Sequence, residues 1–134
     1  MAIEYCVIDP VKRIIDIPAS QKTLGAQSDK DSERLYFQCP KFVGDNIDLT
    51  KASIYINAQN ASGLVSGKDR YEVTDIKEEG DNVTFSWLIP RKIAAYQGTA
   101  KFSVCVMVDS EDKEWNTTIA EGEVLEGLEL TTPE

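Results

Sequence analysis

NVTFSWLIPRKIAAYQG, residues 82–98, reads as a strand followed directly by a helical turn. Val83, Phe85, Trp87 and Ile89 alternate with Thr84, Ser86 and Leu88, the two-residue period of a strand with one apolar face. Phe85 and Trp87 each bring about 150–250 Å² of surface to bury, so an apolar face of similar size must lie opposite. It comes a few residues on, where Phe102, Val104, Val106 and Val108 of GTAKFSVCVMVD repeat the same period. Between the two runs, Pro90 removes a ladder donor and ends the first strand. The same proline suits the first position of a helical turn, PRKIAAY, which Gly98 closes. The segment is expected to be strand, crossing turn, strand, carrying the chain from one sheet of a sandwich to the other.

Upstream, Glu79-Gly80-Asp81-Asn82 supplies hairpin turn chemistry, so Tyr71–Lys77 reads as the strand before it. Ser53–Gln59, with Ile54 and Ile56 alternating with Tyr55 and Asn57, is another strand, and NASGLVSGK (60–68) is an exposed loop. Ser32–Cys39 is a strand ended by Pro40. In KFVGDNIDLTKA, Gly44, Asp45 and Asn46 are turn residues, and Ile47 and Leu49 read as loop anchors rather than ladder residues. Residues 18–31 lack apolar period and read as a long loop, a candidate contact segment together with 60–68. Val11–Ile17 is β-branched and reads as the first strand. Downstream, DSEDKE is a polar turn, Glu114–Ala120 and Glu121–Leu130 are the last strand-like runs, and Thr131–Glu134 is a frayed tail. Seven or eight short runs with one helical turn indicate an all-β, antiparallel β-sandwich. No fixed-period repeat or low-complexity segment is present.

The chain has 134 residues, 42% of them hydrophobic and 28% charged, which fits one folded domain over 1–134. No run reaches the roughly 18 apolar residues of a spanning helix, so membrane insertion is not expected. The start, MAIEYCVIDPVKR, lacks the basic-then-apolar pattern of a secretory signal. Net charge is −9, unevenly spread. Thirteen basic residues face 14 acids before Phe102, whereas Lys113 alone faces nine acids from Phe102 onward. Such a surface repels phosphate backbones, which argues against nucleic-acid binding. Cys6, Cys39 and Cys105 are odd in number and widely spaced. They read as small apolar residues in a reducing compartment, with a single pairing left open by the spacing.

Histidine is absent, which removes the commonest general base, the usual nucleophile pairs and the commonest transition-metal ligand. No phosphate-cradling glycine loop is present. Three scattered cysteines make a poor zinc set. Asp45 and Asp48, and Asp109 with Glu111 and Asp112, fall in turns without the spacing of a calcium loop. The expectation is therefore a non-enzyme with no cofactor and no metal site. Trp115 sits in a polar setting, KEWNTT, and either caps the end of the core or stacks on a sugar or partner. With Tyr55 and Tyr71 it forms the set of candidate interaction residues. Asn60, Asn82 and Asn116 begin glycosylation-like triplets, which carry little weight without a signal peptide.

FSWL followed by AYQGTAKF, and WNTT followed by EGEVLEGL, form composite patterns. Through them, residues of about 8–130 are similar to the N-terminal domain of the baseplate upper protein of tailed phages and prophages of Gram-positive bacteria. The resemblance implies a β-sandwich module of the virion tail, made in the host cytoplasm. Its expected role is to join baseplate and receptor-binding parts in host attachment. The implied partners are other tail and baseplate proteins, with docking onto a symmetric assembly or homo-oligomerisation. The alternative is a non-catalytic carbohydrate-binding module for a host cell-surface glycan.

Overall fold

The computed structural model of the chain describes residues 3–128. Thirteen strands lie among them: β1 (Cys6–Asp9), β2 (Ile14–Asp16), β3 (Thr23–Ala26), β4 (Arg34–Pro40), β5 (Phe42–Val43), β6 (Ile47–Asp48), β7 (Ser53–Gln59), β8 (Lys68–Glu72), β9 (Thr74–Glu79), β10 (Asn82–Leu88), β11 (Gly98–Val108), β12 (Lys113–Asn116) and β13 (Ala120–Leu125). One α-helical turn, α1 (Arg91–Ala94), joins β10 to β11. The expected tail at Thr131–Glu134 lies outside the described residues, as does the end of the run expected over Glu121–Leu130.

Two sheets face each other. The five-stranded sheet runs β2-β1-β4-β10-β9. The six-stranded sheet runs β3-β13-β11-β7-β8, with β12 beside the far half of β11. The all-β sandwich is as expected, and so is the crossing, since β10 and β11 belong to different sheets. Val83, Phe85, Trp87 and Ile89 are all buried, as are Phe102, Val104, Val106 and Val108. Phe37 of β4 stacks on Phe85 at 5.3 Å and meets Phe102 edge-on at 6.2 Å, so the two layers touch through aromatic rings. Such pairs add about 0.5–1.5 kcal/mol each beyond the area they bury.

Several expectations need correction. The sheets are mixed, because β1 pairs with β4 and β13 with β3 in parallel. Thirteen strands replace seven or eight, since many edge pieces are too short to show a period. The run Val11–Ile17 is a turn followed by β2, and the true first strand, β1, precedes it. Residues 18–31 are not wholly loop: β3 lies within them, and its Leu24 is buried. Ile47 is both anchor and ladder residue, paired with Val43 in a two-stranded ladder. Four 3-10 turns accompany α1.

The expected strand Tyr71–Lys77 is cut at Val73. Its first part, β8, pairs with β7 in one sheet, and its second part, β9, pairs with β10 in the other. Val73 itself is buried between the two strands, so the chain passes from one sheet to the other across a single residue. The hairpin from β9 to β10 is as expected, with Glu79 opposite Asn82 and Gly80 at φ 62° in its two-residue loop. Glycine at the first loop position accepts that φ without strain.

Cys6, Cys39 and Cys105 are buried free thiols, the first two in the core between the sheets. Burial pushes Cys6 and Cys39 up to about 12. An unfolded chain ionises these thiols near 9.0, whereas the folded one holds its protons further. Their contribution is complete below pH about 9 and is lost as pH rises toward about 12. Denaturant midpoints measured across that range should fall as pH rises. Trp87→Ala should destabilise the fold by about 3–5 kcal/mol in the same assay, as for a large aromatic deleted from a core.

Candidate functional site

The three aromatics singled out in the sequence share the six-stranded sheet but not one face of it. Trp115 pairs with Val106 across β11 and β12 and faces inward at 2% exposure. Its ring is covered by Arg13, whose guanidinium carbon sits 5.1 Å from the centroid. The segment carrying Arg13 is tied down by the Thr118 amide, which donates to the Arg13 carbonyl at 2.7 Å. Trp115 thus closes the core and offers no ring to a sugar. Tyr71 pairs with Ile56 and leans on Trp87 at 5.8 Å, so it too belongs to the interior side. Only Tyr55, opposite Cys105 on β11, lies on the outer face.

That outer face holds a shallow groove. Strand alternation sends Lys68 and Arg70 of β8, Asn57 and Gln59 of β7, and Lys101 and Ser103 of β11 outward together. The register aligns them in two rows. Lys68 lies beside Gln59 and Lys101; Arg70 lies beside Asn57 and Ser103. The groove encloses about 440 Å³ and is walled on one side by exposed Ile119. Arg70 is pre-positioned within it. Its Nε–H donates to Asn57 Oδ1 at 2.8 Å, its Nη1 reaches Met107 Sδ at 3.4 Å, and its guanidinium lies 5.4 Å from the Tyr55 ring centre. A planar cation held on several sides loses less entropy when it meets a carboxylate or phosphate.

Asp69, between Lys68 and Arg70, falls on the opposite side of β8 and pairs with Lys92 of α1 at 3.4 Å. The Arg70 amide, then Lys92, hold its carboxyl below the usual carboxylate range. Lys68, Arg70 and Lys101 therefore gather on one face of a chain of net charge −9, with Glu121 opposite Lys101 and Glu72 beside Tyr55 at its margins. Charge and amide recognition is the chemistry these residues support.

One acid in each of the two turns has a structural partner. Asp48 caps a 3-10 turn by accepting from the Thr50 hydroxyl at 2.7 Å and its amide at 2.9 Å. Glu111 pairs with Lys113 at 3.2 Å. Among the described residues, no group of three or more His, Cys, Asp or Glu side chains could hold a metal ion.

The two candidate contact loops meet at one end of the sandwich. Asn60, buried, donates through Nδ2 to the Lys92 carbonyl at 2.9 Å, and the Ser28 amide donates to Ala94 O at 2.9 Å. Both loops are thereby fastened to α1. Leu64 and Val65 at the tip of the second loop are exposed apolar residues, at 59% and 83%.

Sequence reasoning missed the cationic rows, although K-x-R at 68–70 and K-x-S at 101–103 already place each pair on one face. The missing information was cross-strand register, which a strand period alone does not supply. Trp115→Ala should cost about 3–5 kcal/mol of stability, whereas Tyr55→Ala, on the outer face, should cost under about 2 kcal/mol; urea denaturation of the two variants separates the roles. Comparison of the chain with protein-family models and with curated proteins finds no match in either.

Proposed function

We propose that this chain is a phage or prophage tail baseplate module that acts by protein–protein contact, joining baseplate and receptor-binding parts. The observation that carries the reading is the outer groove of the six-stranded sheet, where Lys68, Arg70 and Lys101 gather on a chain of net charge −9. A patch of reversed sign steers an acidic partner surface toward one face and rejects like-charged alternatives. The composite patterns that resemble the baseplate upper protein supply the context for such a partner. FSWL lies on β10, AYQGTAKF spans the end of the crossing turn and the start of β11, and WNTT lies on and just after β12. They build the scaffold, while the groove supplies the contact.

The chain should be mixed with the purified tail and baseplate proteins encoded beside its gene, and complex mass followed in solution. A stable complex that weakens with added salt, and at least about tenfold with Lys68→Glu, Arg70→Glu and Lys101→Glu combined, is the expected outcome. A gene set within a metabolic operon, or no complex with any neighbouring tail protein, would count against the reading.

A further inference from the structure

The other sheet carries a different kind of hollow. The segment at Ile3 and Tyr5, ahead of β1, borders the outer side of β4, β10 and β9 and leaves a cleft of about 290 Å³. At its floor, Thr84 and Ser86 of β10 are 5% and 0% exposed, hydroxyl residues buried on what a simple alternation would make the solvent side. Tyr5 and Tyr36 line it as an edge-to-face pair, 6.5 Å between centroids and 86° between planes. Asp75, Lys77 and Glu79 of β9 complete the lining.

Asp75 reaches this cleft through a backbone irregularity. The β9–β10 register shifts between Thr84 and Ser86, and Asp75 sits at φ 57°. A non-glycine residue in that region costs energy, and a bulge re-aims the side chain it carries. Here the extra residue brings both Thr74 and Asp75 to Ser86. Ser86 Oγ donates to Asp75 Oδ2 at 2.9 Å and accepts from Arg34 Nη1 at 2.8 Å. Arg34 Nη1 also donates to Thr74 Oγ1 at 2.7 Å and lies 3.4 Å from Asp75 Oδ2. A carboxylate fixed through one oxygen keeps the other for a ligand hydroxyl.

We propose that this cleft binds one neutral pyranose residue, its apolar ring face laid against Tyr36 and Tyr5 and its hydroxyls bonded to Asp75, Lys77 and Thr84. Aromatic rings take the C–H face of a sugar, while fixed carboxylate, ammonium and hydroxyl groups take its polar edge. The cleft is slightly below the roughly 300–1,000 Å³ of ligand pockets, so a single ring fits it better than a longer chain does. The ligand is neutral because Asp75 and Glu79 on β9 oppose Lys77 and Arg34, leaving no net cation for an anionic sugar. This site lies on the sheet opposite the cationic groove and does not depend on assembly into a tail.

The test is a backbone-amide NMR titration of the isolated protein with the methyl glycosides of glucose, galactose, rhamnose and N-acetylglucosamine. At least one should shift the amides of Tyr5, Tyr36, Asp75–Lys77 and Thr84–Ser86, and Tyr36→Ala should weaken it by about tenfold. Tyr5→Ala, outside the ladders, serves if Tyr36→Ala fails to fold, with several-fold weakening expected. No shift with any glycoside at millimolar excess overturns the proposal. Shifts confined to the Lys68–Arg70 groove, or an unchanged affinity in the tyrosine variants, overturn it as well. Because no partner protein is present, loss of sugar binding would leave the tail-assembly reading standing, and failure of assembly would leave this one standing.

Discussion

The fold depends on aromatic contact between two layers. Phe85 stacks on Phe37, Phe37 meets Phe102, Phe102 meets Trp87 at 5.7 Å, and Trp87 meets Tyr71 at 5.8 Å. Phe37, Phe85 and Trp87 come from the five-stranded sheet; Phe102 and Tyr71 come from the six-stranded one. The chain of rings therefore passes back and forth across the interior. Each sheet leaves its inner face without water only if the other is present, so neither layer is stable alone.

Two crossings keep the layers in register. At Pro90 the missing donor and the helical turn redirect the chain from β10 to β11, and Ile93 and Ala94 of α1 are buried beneath it. At Val73 the change of sheet happens across one buried valine, followed by the bulge at Asp75. The edge strand β9 is exposed along its length and carries Lys77, Glu78 and Glu79. Charge and bulge together make that edge a poor template for another strand.

The central strands were legible because each carries a full period: Val83 to Ile89 and Phe102 to Val108 name their own inner faces. The crossing was legible because Pro90 has only a few places it can sit. Short pieces were not. β3 contributes one buried leucine, too little to separate it from loop, and its partner β13 is a hundred residues away. Trp115 could be read either way because its polar neighbours describe the edge of the sandwich, not the ring's direction; pairing with Val106 settles it. Neither the cationic groove nor the tyrosine cleft could be seen from sequence. The groove is a product of cross-strand register, and the cleft of a register shift with a positive-φ aspartate, properties that residue types alone do not encode.

The parallel pair of β3 with β13 has a bearing on how the chain is made. Thr23 to Ala26 leave the ribosome long before their neighbours Glu123 to Leu125. Until then Leu24 has no roof and the rim of the larger sheet is open. Contacts so distant along the polymer slow closure, and a half-made chain with bare β edges is prone to sticking. A nascent copy of this domain is thus expected to wait, its larger sheet incompletely shut, until β13 can pair with β3.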